Sequence, residues 1–165
     1  LSMSNFSHTV VIQKEEININ NEINLLKNIS DTKNDSNSIG AIATFIGSVR
    51  SMNDGDKVIS MFIEHYPEMT EACISRILIS SNQKWPILSA RVVHRVGVLT
   101  PGENIVFVGV SSSHRKASFE SCEFIMDYLK TQAPFWKKEE TTEGSRWVQA
   151  RVQDELILKD WENRT

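Results

Sequence analysis

Three short stretches of the chain carry charged side chains at spacings that could hold an anion. The first, LKTQAPFWKKEE (residues 129–140), places Lys130 before a rigid Pro-Phe-Trp segment and Lys137 and Lys138 after it. Lysines on a solvated helix need no aromatic anchor, whereas lysines that converge on an anion do. Each lysine alone also has a simpler explanation. A cation at a helix C-terminus suits the helix dipole, and two lysines beside two glutamates are typical of a solvated surface.

The second stretch, Ser113-His114-Arg115-Lys116, lies where we expect a strand to end and a helix to begin. Free N–H groups at a helix N-terminus attract anions, and adjacent His and Arg donors reinforce that preference. The alternative is that Ser112 or Ser113 caps the helix while His114 and Arg115 face water.

The third stretch, Gly47-Ser48-Val49-Arg50, has a glycine near a strand end, then a valine of buried type and an arginine. This order would place Arg50 at the rim of a cleft. An arginine on an edge strand would look the same.

Composition places any anion binding in a local cluster. The 165 residues carry 18 basic and 21 acidic side chains, a formal net charge of −3, so no overall field attracts nucleic acid or a membrane surface. The two cysteines, Cys73 and Cys122, lie in apolar-periodic stretches without CxxC spacing. We interpret them as buried reduced thiols, which fits a cytoplasmic protein, rather than as a disulfide or a nucleophile.

Several other classes of protein are not indicated. No apolar run approaches the roughly 20 residues that span a bilayer, and LSMSNFSHTV is not a secretory signal. The histidines His65, His94 and His114 lack HxxxH or HxH spacing, so we expect no metal site. A Ser-His-Asp order, a Gly-rich phosphate loop and a dinucleotide fingerprint are all missing, and no cofactor is expected.

The elements that must position these residues follow from hydrophobic periodicity. They predict one α+β domain over residues 1–165, with mixed antiparallel hairpins and two main helices. The early elements are a strand at 9–13, a weak helix at 20–29, a polar mobile loop at 30–38, a buried strand at 39–49 bent by glycines, and a hairpin around Asp54-Gly55 with Ile59, Met61 and Ile63 on one side.

The later elements bring in the candidate stretches. They are a helix from Pro67 to about Gln83 with Met69, Ala72, Cys73 and Ile77 buried; a β pair at 90–98 and 104–111 joined by a type II turn at 100–103; a helix at 117–131 with Phe119, Cys122, Ile125, Met126 and Leu129 buried; and a tail from Trp147 that packs or reaches a partner. Pro134 should end the second helix, so that Lys130 lies in its last turn.

Taken together, several segments resemble the large, catalytic subunit of molybdopterin synthase, the MoaE family. The likeness covers roughly residues 40–151, with matching segments in the same order. They are GAIATFIGSVR (40–50), FIEHYPEMTEA (62–72), HRVGVLTPGE (94–103), VGVSSSHRKASFE (108–120), DYLKTQAPFWKKE (127–139) and GSRWVQAR (144–151).

The resemblance implies an α/β-hammerhead fold and a central homodimer with one small ubiquitin-like subunit at each end, making a heterotetramer. The small subunit carries a C-terminal Gly-Gly thiocarboxylate. The family uses it to put two sulfurs onto cyclic pyranopterin monophosphate, which makes the dithiolene of molybdopterin. No cofactor is implied.

The resemblance also implies site residues. The family's ligand-binding positions fall on Ser48, Val49, Arg50, His114, Arg115, Lys130, Lys137, Lys138 and Glu139, and Arg151 matches a residue that reaches the neighbouring protomer's pocket. We expect Arg50, His114 and Arg115 to hold the phosphate and pterin.

For the two catalytic lysines we expect different roles. Lys137 should steady the thiocarboxylate or a tetrahedral oxyanion, and Lys130, its pKa lowered by partial burial and nearby cations, should transfer a proton. A covalent lysine adduct stays open. Two other functions also remain: a non-catalytic docking module for a ubiquitin-like tail, and a metal hydrolase.

Overall fold

The chain alternates strands and helices in a mixed α+β order, in a computed structural model that describes residues 6–28, 38–149 and 152–164. The strands are β1 (Ser7–Gln13), β2 (Ala41–Ser48), β3 (Met52–Asn53), β4 (Asp56–His65), β5 (Ile87–Arg95), β6 (Gly97–Leu99), β7 (Asn104–Ser112), β8 (Phe135–Thr141) and β9 (Gly144–Val148). The helices are α1 (Ile19–Asn28), α2 (Met69–Lys84), α3 (Arg115–Gln132) and α4 (Val152–Asn163). The α+β class predicted from the sequence is confirmed.

The strands form two sheets. The first sheet has the order β1-β5-β7-β2, with β1 parallel to β5 and the other pairs antiparallel. The second sheet has the order β3-β4-β8-β9, and β6 also pairs with β4.

Helices cover both faces of the first sheet, which explains why β5 and β7 are apolar on both sides. Val92 and Val108 pack with residues of α2 and α3, whereas their neighbours Val93 and Phe107 pack with Leu26 of α1. Alternate residues of a strand point to opposite faces, so these pairs follow from the pleat.

The predicted turns and glycine positions are confirmed, but the predicted hairpin between the strand at 39–49 and the strand after Asp54-Gly55 is wrong, because β2 pairs with β7 and the turn joins β3 to β4. Asp54 and Gly55 both have positive φ in the β3–β4 turn, and Gly102 has φ +92° in the turn between β6 and β7. The β2–β7 register shifts at Gly47, and a side chain at Gly40 would strike the Ser113 carbonyl. Gly40 thereby lets the start of β2 lie against the end of β7.

Some of the predicted burial is wrong because the sequence does not show the position of a strand in its sheet or its register with the neighbouring strand. The strand at 39–49 was expected to be buried, but β2 is an edge strand and Phe45 and Ile46 are each 40% exposed. Ile59 is exposed because the β4–β8 register shifts between Val58 and Ser60.

The predicted burial is also wrong in the first turns of the two main helices, α2 and α3. Helix α2 begins at Met69 rather than at Pro67, and Met69 is exposed while Thr70 and Ile74 are buried. In α3, Phe119 is exposed, although the other residues of its predicted stripe are buried or half-buried.

The polar stretch 30–38 lies outside the described residues except for Ser38, and the assignment of residues 1–165 to one domain stays a prediction. The tail from Trp147 includes β9 and α4, and Trp161 of α4 packs in the main core. In the parts of the chain that the structure describes, no helix has both the length and the apolar character to cross a membrane.

Candidate active site

Lys137 lies near the middle of β8, on the face that the second sheet turns toward the core. It pairs with the buried Ile63 of β4, and Phe135 lies two residues earlier on the same face. The ring of Phe135 stacks on the buried His94 at a centroid distance of 3.8 Å. Burial, and secondly the positive charge of Lys130, lower the pKa of Lys137. The two predicted catalytic lysines therefore lie close enough to repel each other.

Lys130 lies in the last turn of α3, as predicted, but its environment differs from the expected one. Its side chain is 55% exposed, and its Nζ lies 3.9 Å from Oδ1 of Asp154 in α4. The burial that we expected to tune Lys130 is found instead at Lys137. Lys130 is the more open of the two cations.

Lys138 does not join this cluster. Adjacent residues of a strand point to opposite faces, so Lys138 projects from the outer face of the second sheet, with its Nζ 5.8 Å from the ring centre of Trp147. Trp136 is on that face as well and is 46% exposed. The expectation that Lys137 and Lys138 converge is wrong within one chain, and Phe135 alone anchors the inner face.

The side chains of Ser48, Val49 and Arg50, the third candidate stretch, have three different environments. The Ser48 hydroxyl bonds to the Asn104 side chain at 2.9 Å. Val49 is buried, and its backbone N–H donates to the Glu103 carbonyl, so it holds this stretch in place; its part in substrate binding stays a prediction. Arg50 is exposed, and its guanidinium donates to Oδ1 of Asn53 at 2.9 Å.

Glu139, one of the expected ligand-binding residues, has a buried carboxylate with two hydrogen-bond partners. It is 1% exposed, and its Oε1 accepts hydrogen bonds from the side chains of Asn53 and Arg146. It lies two residues beyond Lys137 on the same face of β8, at a distance of about 7 Å along the strand. Its bond to Asn53 links Arg50, through that amide, to the strand that carries Lys137.

His114 and Arg115 lie at the opposite end of the fold. Strand β7 ends beside them, whereas Ser48 pairs with Asn104 at the start of β7. Along α3, Arg115 is about 22 Å from Lys130, because a helix rises about 1.5 Å per residue. Both are exposed, and His114 makes no capping hydrogen bond with its side chain. One chain therefore brings Lys130 and Lys137 together, with Arg50 at the same end of the first sheet, but without His114 and Arg115; Arg151 lies outside the described residues.

His94 is a residue of this region to which the sequence analysis gave no role. Its Nδ1 lies 2.7 Å from the Arg95 carbonyl, to which the ring donates a hydrogen bond. Burial and then the charge of Lys137 lower its pKa to about 3. No spacing signal in the sequence could have shown this, because the stacking partner Phe135 is 41 residues away.

Other chemistries find little support in the residues that the structure describes. There, no group of three or more His, Cys, Asp and Glu side chains could hold a metal ion. Both cysteines are free. Burial raises the pKa of Cys122 to about 12, so its thiol stays protonated and is a poor nucleophile.

Fold and site together define an α+β protein with two neighbouring lysines and an exposed arginine. The model of the family described as MoaE protein matches residues 12–132. The chain belongs to the MoaE family.

Relatives support this membership over most of the chain. The molybdopterin synthase catalytic subunit of Pseudomonas aeruginosa is 54% identical over 124 residues, which cover 75% of this chain and 83% of that protein. The protein of the same name from Vibrio cholerae is 48% identical over 155 residues, covering 94% and 99%.

Solved structures share the fold. The molybdopterin biosynthesis MoaE protein of Burkholderia ambifaria has a TM-score of 0.77 and 44% identity, covering 94% of this chain and 98% of its own. A complex of subunits 1 and 2 of the molybdopterin-converting factor of Helicobacter pylori has a TM-score of 0.68 at 15% identity, covering 86% and 91%, a likeness of fold alone.

Proposed function

We propose that this protein is the catalytic subunit of a molybdopterin synthase. In this proposal it moves sulfur from the thiocarboxylated C-terminus of a small ubiquitin-like subunit to cyclic pyranopterin monophosphate, as a sulfurtransferase. Its family membership and the names of its relatives support the reaction. The observation that carries it is the pair of lysines, Lys130 and Lys137, close enough for one charge to lower the pKa of the other.

Two cations at one place suit this reaction because both reactants are anionic. The substrate carries a cyclic phosphate and the donor ends in a thiocarboxylate. Arg50 and the half-exposed Lys130 are the groups that keep a positive charge toward solvent. Charge-assisted hydrogen bonds from these groups hold the two anions together against their mutual repulsion, and this proximity makes the transfer effectively unimolecular.

Lys137 takes the proton-transfer role that the sequence analysis gave to Lys130. A lysine with an ordinary pKa is almost wholly protonated at neutral pH, whereas burial disfavours the ammonium form and supplies more neutral amine. The lowered pKa of Lys137 therefore brings its amine closer to working as a general base. Lys130, beside it, stabilises negative charge on the reacting acyl group.

In this proposal the donor's tail approaches the lysines along the surface between β2 and α3. A groove of about 290 Å³ runs between β2 and α3, lined by Ala43, Phe45, Phe119 and Met126 among others, and it reaches Asp127, one helical turn before Lys130. An extended Gly-Gly terminus is narrow enough to lie along such a groove with its thiocarboxylate at the lysines.

A second copy of the chain completes the site in this proposal. His114 and Arg115 are too far from Lys130 to serve the same pocket within one chain, so they act in the pocket of a homodimer partner, as does Arg151. One small subunit at each end gives the heterotetramer. We place this assembly in the cytoplasm, where the free thiols of Cys73 and Cys122 persist, and treat the chain as one domain.

The test is product formation from purified chain, thiocarboxylated partner and pterin precursor. The wild type should form the dithiolene product, and Lys137→Arg should lose at least about a hundredfold in turnover, because arginine keeps the charge but supplies no neutral amine. Lys130→Ala should lose a similar factor. The control is Lys116→Ala, which removes an 84% exposed lysine from the same helix and should leave the rate unchanged.

Failure of the wild type to form product would refute the function. Near-normal turnover in Lys137→Arg would refute only the role of its neutral amine. A non-catalytic docking module would bind the tail in every variant and make no product.

A further inference from the structure

Arg50 receives its orientation from a neutral group, although a carboxylate is near. Its Nη2 donates to Oδ1 of Asn53, while Nδ2 of the same amide donates to Oε1 of Glu139, and both distances are 2.9 Å. Asn53 therefore stands between a guanidinium and a buried carboxylate. The amide has one acceptor and one donor end, so these two bonds fix which way it faces.

The far side of the arrangement is fixed by Arg146 of β9. Its guanidinium donates to Glu139 at 3.3 Å, to Oδ2 of Asp56 at 2.8 Å and to the backbone carbonyl of Asn53 at 2.8 Å. The negative charge of Glu139 is thus matched by Arg146 rather than by Arg50. The same arginine holds the backbone of the β3–β4 turn, which presents the Asn53 side chain.

The consequence for Arg50 is electrostatic. An arginine bonded directly to a carboxylate has its charge largely compensated, and an incoming phosphate would have to compete for the same donors. An amide oxygen orients the guanidinium equally well but leaves its positive charge available.

We propose that Asn53 is a positioning residue for Arg50, which aims its guanidinium and keeps it separated from the Glu139 carboxylate so that its charge serves an anionic substrate. This inference rests on the proposed function, in which Arg50 binds the phosphate of the pterin. Arg146 supports it by neutralising Glu139. Neither Asn53 nor Arg146 was among the residues singled out from the sequence.

Two substitutions separate orientation from charge. Asn53→Ala removes the bond to Arg50. Asn53→Asp keeps an acceptor of the same size but places a carboxylate directly on the guanidinium. Both should raise the KM for the pterin precursor about tenfold, the loss expected for weakening one charge-assisted contact. Because phosphate contacts are the same in the ground and transition states, kcat should stay within about twofold.

The readouts distinguish this role from general damage to the fold. The affinity for the unthiolated small subunit should be unchanged, and the inhibition constant of inorganic phosphate should rise in parallel with KM. Ser145→Ala is the matched control, since it removes a hydrogen bond to Glu140 from the same β8–β9 hairpin without touching Arg50. It should leave KM unchanged.

A wild-type KM in Asn53→Asp would overturn the proposal. If that variant fails to fold beside Glu139, a wild-type KM in Asn53→Ala would overturn it instead. These results require a wild type that makes product, so they are distinct from a failure of the proposed function itself.

Discussion

Lys137 and its surroundings show how single residues in this protein obtain their chemistry from burial. Phe135 lies beside it on the inner face of β8, His94 of β5 stacks on Phe135, and neither ring carries a charge. A cation held against them is poorly solvated, which is the first cause of its lowered pKa, ahead of the repulsion from Lys130. The same burial keeps His94 neutral. Both residues therefore make the stability of the fold depend on pH.

The dependence on His94 can be predicted with its sign. Its pKa is about 3 in the folded protein against an ordinary 6.5, so between these values the unfolded chain binds more protons. Stability contributed by the neutral ring is present above pH 6.5 and is lost as the pH falls toward 3. From pH 6.5 to pH 4.5 the loss should be about 2.3 kcal/mol, since the unfolded histidine is already half protonated at pH 6.5.

The measurement is urea unfolding of the wild type and of His94→Gln at both pH values. The variant, although less stable at neutral pH, should lose about 2.3 kcal/mol less than the wild type over that range. His8→Gln, which changes an exposed histidine, is the control and should follow the wild type. Equal slopes for wild type and His94→Gln would show that His94 titrates normally.

The elements of the fold decide which charged residues meet. Helix α3 begins where β7 ends and runs back across the first sheet, and Ser118 near its start bonds to the Ala41 carbonyl at the start of β2. Its last turn therefore returns Lys130 to the end of the sheet where Ser48 and Arg50 lie. The second sheet then brings β8 and Lys137 to the same end. Helix α4 adds Asp154 beside Lys130.

The docking of α4 depends mainly on Trp161. Its ring packs edge-on against Trp85 and Phe124, and its Nε1 donates to Asp127 at 2.7 Å. Trp161→Ala should cost about 3 kcal/mol in the free energy of unfolding, since it leaves a large cavity in the core. Trp161→Phe should cost about 2 kcal/mol, because the phenyl ring still fills most of the space of the indole. Both are measured by urea unfolding at neutral pH, and a loss below about 0.5 kcal/mol in Trp161→Ala would contradict this account.

Local sequence patterns predicted the helices, strands and turns well, but they predicted poorly which residues of a strand or helix are buried. The β3–β4 turn was evident from Asp54-Gly55, and the α3 stripe from Cys122, Ile125 and Leu129, because these signals are local in sequence. That β2 lies at a sheet edge is set by the order of all four strands, which no local pattern contains.

The site was predictable to a similar extent. The lysines were found from their spacing around a rigid segment and from a family resemblance. The opposite directions of Lys137 and Lys138 required knowing that the segment is a strand rather than a loop. The contacts of Asn53 with Glu139, 86 residues apart, and the stacking of His94 on Phe135 depend on tertiary packing and left no signal in the sequence.

At the scale of the whole molecule, one chain carries the proposed site residues at two opposite ends. One end has Arg50, Lys130 and Lys137, and the other has His114 and Arg115, all drawn from the same set of expected ligand-binding positions. A twofold dimer places the same patch of each subunit against its counterpart, so one end of each chain can complete the other end of its partner. The proposed function depends on such a site shared between two chains.

Mixed dimers test that claim most directly. Chains carrying Lys137→Ala and chains carrying Arg115→Ala should each be nearly inactive in forming product alone. Coexpressed in equal amounts, they should recover about a quarter of wild-type activity, because half of the dimers are mixed and one of the two sites in each is then intact. If the mixture is no more active than the average of the two parents, His114 and Arg115 do not serve the partner's lysines and the shared site is refuted.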